Sequence, residues 1–443
     1  MRILHVITRL ILGGAQQNTV LCCAAQAEAG HEVHLAYGPI RGPEGTLLPL
    51  ARQSGAVLHE VPTLEREIRP LADQAARRAL VRLIRSGGRL KTTAGAPAEP
   101  FDVVHTHSSK AGILGRSAAW SCRSSTQGRT HRLPVVVHTV HGLPFHDRMP
   151  RWKKRLLVGS ERWAARRCDA LIAITPAMAE AFAAEGIAPV DRFVVIPSGV
   201  SLETFAAAAA RADRVAMLRE RLGLPQDDLL VGLVARLDPL KGHRDLLAAW
   251  PGVRARLDAH PATAGRRTRL VFVGDGFDAA GIHTAVDAAG LGDQVTFTGL
   301  MSLGDMPLVY RMLDLVVLPS HQEGQSRVLV EALACGTPVV AYDVGGMPSI
   351  VVDGRTGRLV QPGRTDALAG VVAWMLEHPE QAAALAENGR RHVHQRFSAR
   401  TMCDQLEQLY ERLTARGAEP ATSVDAPTLN AHGQPHRRPD RSA

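Results

Sequence analysis

Aromatic residues make up only 4% of the 443-residue chain, and lysine occurs only at Lys91, Lys110, Lys153, Lys154 and Lys241. The shortage of rings excludes single-stranded nucleic acid, whose bases need stacking platforms. No apolar run reaches the roughly 18 residues needed to cross a bilayer. The opening MRILHVITRLILGG is interrupted by His5, Thr8 and Arg9, so it reads as a buried strand and not a signal peptide, and a cytoplasmic protein is expected. Cys22, Cys23, Cys122, Cys168, Cys335 and Cys403 have neither metal-site nor disulfide spacing, and read as small core residues in a reducing compartment. No three-glycine dinucleotide fingerprint follows the first strand, so nicotinamide binding has no support there.

What is present is size, charge and a repeating strand–helix rhythm. A chain of this length exceeds one ordinary core and divides into two domains of roughly 150 to 200 residues. The net charge of +9 calls for an anionic partner, a membrane surface or phosphorylated substrates. Nearly every cation is arginine, so a retained lysine marks a place where a compact point charge is wanted.

The stretch Asp314–Val344, DLVVLPSHQEGQSRVLVEALACGTPVVAYDV, organises the rest. A strand over Leu315–Leu318 breaks at Pro319 and passes through a polar turn at Gly324. It resumes as a helix whose N-cap is Ser326, with Val328, Leu329, Ala332 and Leu333 at helical spacing. The free N–H groups of the first turn, at Ser326, Arg327 and Val328, suit an anion. Glu323 lies in the turn, and Glu331 lies one helical turn in, on the side of Arg327. Paired carboxylates beside an anion site fit a ligand that carries vicinal hydroxyls as well as phosphate, namely a sugar nucleotide. After Cys335-Gly336-Thr337-Pro338 the chain resumes as a strand over Thr337–Ala341, completing a βαβ unit.

The run EG…VLVEALACGTPVVA resembles the paired-glutamate motif of the retaining glycosyltransferases of family 4, which have the two-domain GT-B architecture: two Rossmann-like, doubly wound parallel sheets facing across a cleft. The resemblance covers roughly residues 1–415. It implies that Glu323 contacts the donor sugar and Glu331 holds the ribose hydroxyls. Gln325 stands where the family often has an aromatic residue, and Ser349 where it usually has an acidic one. Both departures leave the donor sugar open.

Along the first half, strands are expected at 2–7, 32–37, 56–61, 102–107, 134–140, 170–174 and 193–196, with helices between them. Gly13-Gly14 separates the first strand from the first helix, and GGAQ resembles the family loop that makes Gly14 a donor-site residue. HTHSSKAGILGR puts Ser109 and Lys110 directly after a strand, where an acceptor phosphate is the implied ligand; His105 and His107 read as packed residues. HTVHG puts His141 at a strand end, and the resemblance gives it a catalytic place facing the donor sugar. The segment 148–167, with Trp152, Leu156, Trp163 and Ala164 at helical spacing among cations, reads as a contact for an anionic membrane surface.

In the second half, LLVGLVA from Leu229 leads to Arg236 and Lys241, which by resemblance hold the donor diphosphate and take up the charge developing on the leaving group. Gly299 and Leu300 lie, by the same resemblance, against the base. No two aspartates are separated by one residue, so neither a metal ion nor any other cofactor beyond the nucleotide-sugar co-substrate is expected. The expected organisation is an acceptor domain over 1–197 with insertions near 86–100 and 121–132, a linker over 198–228, and a donor domain over 229–380. Helices over 381–415 return to the first domain, and a disordered tail occupies 416–443. The expected activity is transfer of a sugar, with retention, from a uridine diphosphate donor to a hydroxyl of a lipid-linked or polysaccharide precursor. An epimerase of the same architecture and a non-catalytic sugar-nucleotide-binding component are the alternatives.

Overall fold

The first-half apolar segments become seven strands: β1 Arg2–Ile7, β2 Glu32–Tyr37, β3 Val57–Glu60, β4 Val103–His107, β5 Val135–Val140, β6 Ala170–Ala173 and β7 Phe193–Val195. The computed structural model describes residues 1–41, 45–88, 99–123, 134–145, 149–209 and 211–415. The tail expected at 416–443, and most of the insertions expected near 86–100 and 121–132, lie outside them. All seven strands are parallel, in the order β3-β2-β1-β4-β5-β6-β7. Every residue of β4, β5 and β6 is buried, because helices cover both faces of the sheet.

The second half repeats the plan with β8 Leu229–Val234, β9 Thr268–Val273, β10 Val295–Gly299, β11 Leu315–Leu318, β12 Val339–Tyr342 and β13 Arg358–Val360. Their order is β10-β9-β8-β11-β12-β13, again all parallel. Strand order reverses direction between β1 and β4 in one sheet and between β8 and β11 in the other. In such sheets ligands bind beyond the carboxyl ends of the strands at that switch point.

The chain divides into one unit made of Met1–Ile196 with the segment from Leu406 onward, and a second made of Pro197–Gln405. This corrects two expected boundaries. The segment 198–228 is not a linker: it folds into helices Leu202–Ala209 and Ala212–Arg221, and Val200, Leu202, Phe205, Leu218 and Leu224 are buried in the second unit's core. Its alanine-rich run favours helix strongly, and the flanking apolar residues supply a face to bury. The helix Pro379–Arg396 also belongs to the second unit, where Gly389 lies against Leu333. Within the last helix, Ala399–Ala415, only the part from Leu406 belongs to the first unit.

Two loops at the β8–β11 switch are stitched together by backbone. The His321 N–H donates to the Leu240 carbonyl at 2.9 Å. Gly242 has φ +77°, and a Cβ there would lie 1.9 Å from the Pro319 carbonyl oxygen. Both the left-handed backbone and the close approach require glycine. Gly242→Ala is expected to destabilise the second unit by about 2 kcal/mol or more. Urea unfolding checks this, and an unchanged midpoint would contradict the close approach.

Candidate active site

Four of the residues singled out in the second unit lie at the carboxyl edge of β8 and β11. The loop after β8 carries Arg236, Asp238 and Lys241; the Asp238 side chain accepts from the Leu240 N–H at 2.9 Å and shapes the turn. Arg236 is 64% exposed, so its guanidinium is solvent-facing although paired with Asp238 at 3.1 Å. The Lys241 ammonium donates to Glu323 Oε1 at 2.5 Å, which joins the two loops electrostatically. Glu323 is held from behind, where Gly345 (φ +52°) lets its backbone approach so closely that a Cβ would sit 2.0 Å from the Glu323 carbonyl.

The helix Arg327–Ala334 starts at Ser326, whose hydroxyl accepts from the Leu329 N–H at 3.4 Å. The N–H groups of Arg327 and Val328 have no acceptor within the helix, as at any helix start, and carry its positive end. Glu331 is held by two donors: Tyr310 Oη–H at 2.8 Å and Arg327 Nη2 at 3.3 Å. Burial pushes its carboxyl above the ordinary value, against the pull of Arg327 and the Tyr310 hydrogen bond. Gln325 fills the place of the family aromatic by gripping backbone: its Oε1 accepts from the Ser198 N–H and its Nε2 donates to the Ser198 carbonyl, each at 2.8 Å. Gly299 takes φ +67°, and Leu300 beside it is 72% exposed on the turn after β10.

In the first unit the expected residues also gather at strand ends. Gly14 opens the helix Gly14–Glu28 after β1. Ser109 opens the helix Ser109–Arg123 after β4, next to Ser108 in the left-handed region at φ +61°. Lys110 pairs with Asp73 at 2.5 Å and donates to the Glu67 carbonyl. That compensation comes from a helix far away in sequence, so no local pattern announces it. His141 follows β5, with Nε2 3.0 Å from His107 Nδ1.

His107 is packed, as expected, and it has company. His5, His105, His107 and His138 are buried, and burial lowers the pKa of every one. His5 and His141 are brought down to about 4. The alternation HTH in β4 was visible in the sequence, but its pairing with His5 on β1 required the register His5↔His105. Tyr310 carries no such signal in the sequence, since a tyrosine in an apolar helix reads as core.

A family described as "Glycosyl transferases group 1" matches residues 216–392, and one described as "Glycosyl transferase 4-like domain" matches residues 13–199. A D-inositol 3-phosphate glycosyltransferase of Salinispora arenicola is 34% identical over 340 residues, which is 75% of this chain and 74% of that protein. A 2-deoxystreptamine glucosyltransferase of Streptomyces kanamyceticus is 33% identical over 262 residues, 59% of this chain and 65% of that protein. Among solved structures, Anabaena HepE in complex with UDP and glucose has a TM-score of 0.73 at 23% identity, covering 93% of this chain and 99% of that one. The last likeness bears on the fold alone.

The buried histidines have a thermodynamic consequence. Their folded pKa values lie below the roughly 6.5 of an unfolded histidine, so between about pH 6.5 and pH 4 the unfolded chain binds protons that the folded chain does not. Stability is therefore full above that window and is lost as pH falls through it. Each such histidine contributes a slope of up to about 1.4 kcal/mol per pH unit. Urea midpoints of the full chain should drop clearly from pH 7.5 to pH 5, and a flat profile would contradict a neutral buried cluster.

Proposed function

Because the chain belongs to the family-4 glycosyltransferases with the GT-B fold, we propose that it transfers a sugar, with retention, from a UDP donor to a hydroxyl of a lipid-linked or polysaccharide precursor. The observation that carries this reading is the Lys241–Glu323 contact at the β8–β11 switch point, beside the start of the Arg327–Ala334 helix. In it a cation for a diphosphate and a carboxylate for a sugar hydroxyl occupy one spot.

Arg236, Lys241 and the amides of Arg327 and Val328 meet the diphosphate charge, which grows as the bond from the anomeric carbon to phosphate oxygen breaks. Arg236 is able to leave Asp238 for the phosphates because it is mostly exposed. Glu323 accepts from sugar hydroxyls, and Glu331, fixed by Tyr310 and Arg327, accepts from the ribose. The turn at Gly299 and Leu300 presents an apolar surface to the base. By the family resemblance, Gly14 and His141 are also donor-sugar residues. The acceptor oxygen bonds to the anomeric carbon on the face the diphosphate leaves, and its proton passes to the departing phosphate oxygen. No metal ion enters the scheme, in keeping with the lack of an Asp-x-Asp pair. The uridine is part of the proposal and rests on the family resemblance.

No helix is long and apolar enough to cross a membrane among the described residues. The reading instead assigns a peripheral contact to the helix Arg151–Ala165, where Trp152, Leu156 and Trp163 are exposed among Arg151, Lys153, Arg155 and Arg162. Ala164 is not part of that face: it is buried, on the side where Glu161 meets Arg116 at 2.7 Å. Residues 146–148, at the start of the basic segment, lie outside the described residues.

Purified protein incubated with labelled UDP-sugars and a panel of polyprenyl diphosphate sugars should yield transferred product with the donor's anomeric configuration; isomerised donor or binding alone would reject the reading. His141→Ala is expected to lower kcat on the order of 10²-fold while donor KM changes little. Equal loss in both would remove His141 from the sugar. Flotation with phosphatidylglycerol vesicles should carry the protein upward, and Trp152→Ser with Trp163→Ser should abolish this; no flotation of the unaltered chain rejects the membrane contact.

A further inference from the structure

Four side chains of the first unit form one continuous hydrogen-bonded line. Gln26 Oε1 lies 2.7 Å from His5 Nε2, His5 Nδ1 lies 2.9 Å from His107 Nε2, and His107 Nδ1 lies 3.0 Å from His141 Nε2. The line is a product of strand geometry. His5 on β1 is in register with His105 on β4, and His107 is two residues further on the same face. His107 is in register with Thr139 on β5, and His141 lies two residues beyond Thr139. Gln26, on the helix Gly14–Glu28, closes the line from above that face and is itself buried.

A carbonyl oxygen only accepts, so Gln26 Oε1 requires the proton of His5 to be on Nε2. Burial keeps these imidazoles neutral, with one N–H each. The bare Nδ1 of His5 then accepts from His107 Nε2–H, and the bare Nδ1 of His107 accepts from His141 Nε2–H. Each proton is placed by its predecessor, and the last ring ends with a lone pair on Nδ1. That atom is shielded and has no partner among the described residues. A buried acceptor without a donor is destabilising, and a ligand hydroxyl would satisfy it.

We propose that Gln26, His5 and His107 are positioning residues that fix His141 in its Nε2–H tautomer, so that Nδ1 accepts a hydrogen bond from a hydroxyl of the donor sugar. The proposal rests on the assignment of His141 to that sugar. It explains why three polar rings, which gain nothing from burial by themselves, line the interior of a sheet face beside the ligand edge. The neighbouring His105 stands aside from the line: its Nδ1 faces Tyr410 Oη at 2.5 Å and its Nε2 faces Thr139 Oγ1 at 2.7 Å. The nitrogens of His5, His105 and His107 are also close enough to hold a cation. The short His5–His107 contact, however, is that of a shared proton and not of two ligands on one metal, which would stand further apart.

Two-bond ¹H–¹⁵N spectra of histidine-labelled full-length protein, with the His141 signal identified by its loss in His141→Ala, read the tautomer without turnover. The Nε2–H form is expected in the unaltered chain. Gln26→Leu removes the anchor and should give mixed tautomers at His141, with kcat lowered about tenfold, donor KM unchanged and the thermal midpoint retained. Gln26→Glu, which presents an acceptor again, should restore both tautomer and kcat. An Nδ1–H His141 in the unaltered chain, as a reversed Gln26 amide would produce, overturns the proposal. So does a Gln26→Leu spectrum identical to the unaltered one, or stoichiometric zinc in the purified protein. Undiminished turnover in His141→Ala would strike the sugar assignment, while the tautomer spectra would still decide the hydrogen-bonded line by themselves.

Discussion

The contact on which the strand-end loops of the second unit depend is the one between Lys241 and Glu323. Each belongs to a loop at a different strand end. Backbone stitching through His321 and Leu240, and the glycines at 242 and 345, bring the loops close enough for the ammonium and carboxylate to meet at 2.5 Å. A half-buried pair of this kind is worth little for stability, since both ions surrender water to make it. Its value is that neither charge is stranded before a ligand arrives. On the proposed reading, a donor bearing phosphate and hydroxyls would give each ion a new partner at once and leave no charge uncompensated.

Glu331 is managed differently. Tyr310 supplies a neutral hydrogen bond and Arg327 a charged one, and burial resists ionisation. Two carboxylates eight residues apart thus have unlike environments, one facing an ammonium and the other a phenol. The first unit solves its polar problem by yet another route, with neutral imidazoles that satisfy one another across β1, β4 and β5.

Much of this was readable in advance. The alternation of short apolar strands with helices announced two parallel sheets, and strand positions fell within a residue or two because both faces of each sheet are buried and the runs are unbroken. β13, only three residues long and beginning with arginine, had no such run. The Asp314–Val344 stretch exposed the N-cap, the carboxylates and the helix stop together, since all depend on neighbours in sequence. What could not be read was anything carried by pairing between distant segments. Asp73 occupying Lys110, Tyr310 holding Glu331 and Gln325 gripping Ser198 each join residues 21 or more apart. The 198–228 segment packs rather than connects, a difference hidden because alanine-rich composition describes an exposed connector and a packed helix equally well.

One of these distant joins bears on how the molecule is made. Tyr410 reaches His105 across 305 positions of sequence and is fully buried there. Ribosomes add about 5–20 residues per second, so the first sheet emerges tens of seconds before the residue that completes it. Throughout that interval the histidine face lacks its covering helix and the nascent chain must build an entire second core. The first unit to be synthesised is therefore the last to be finished.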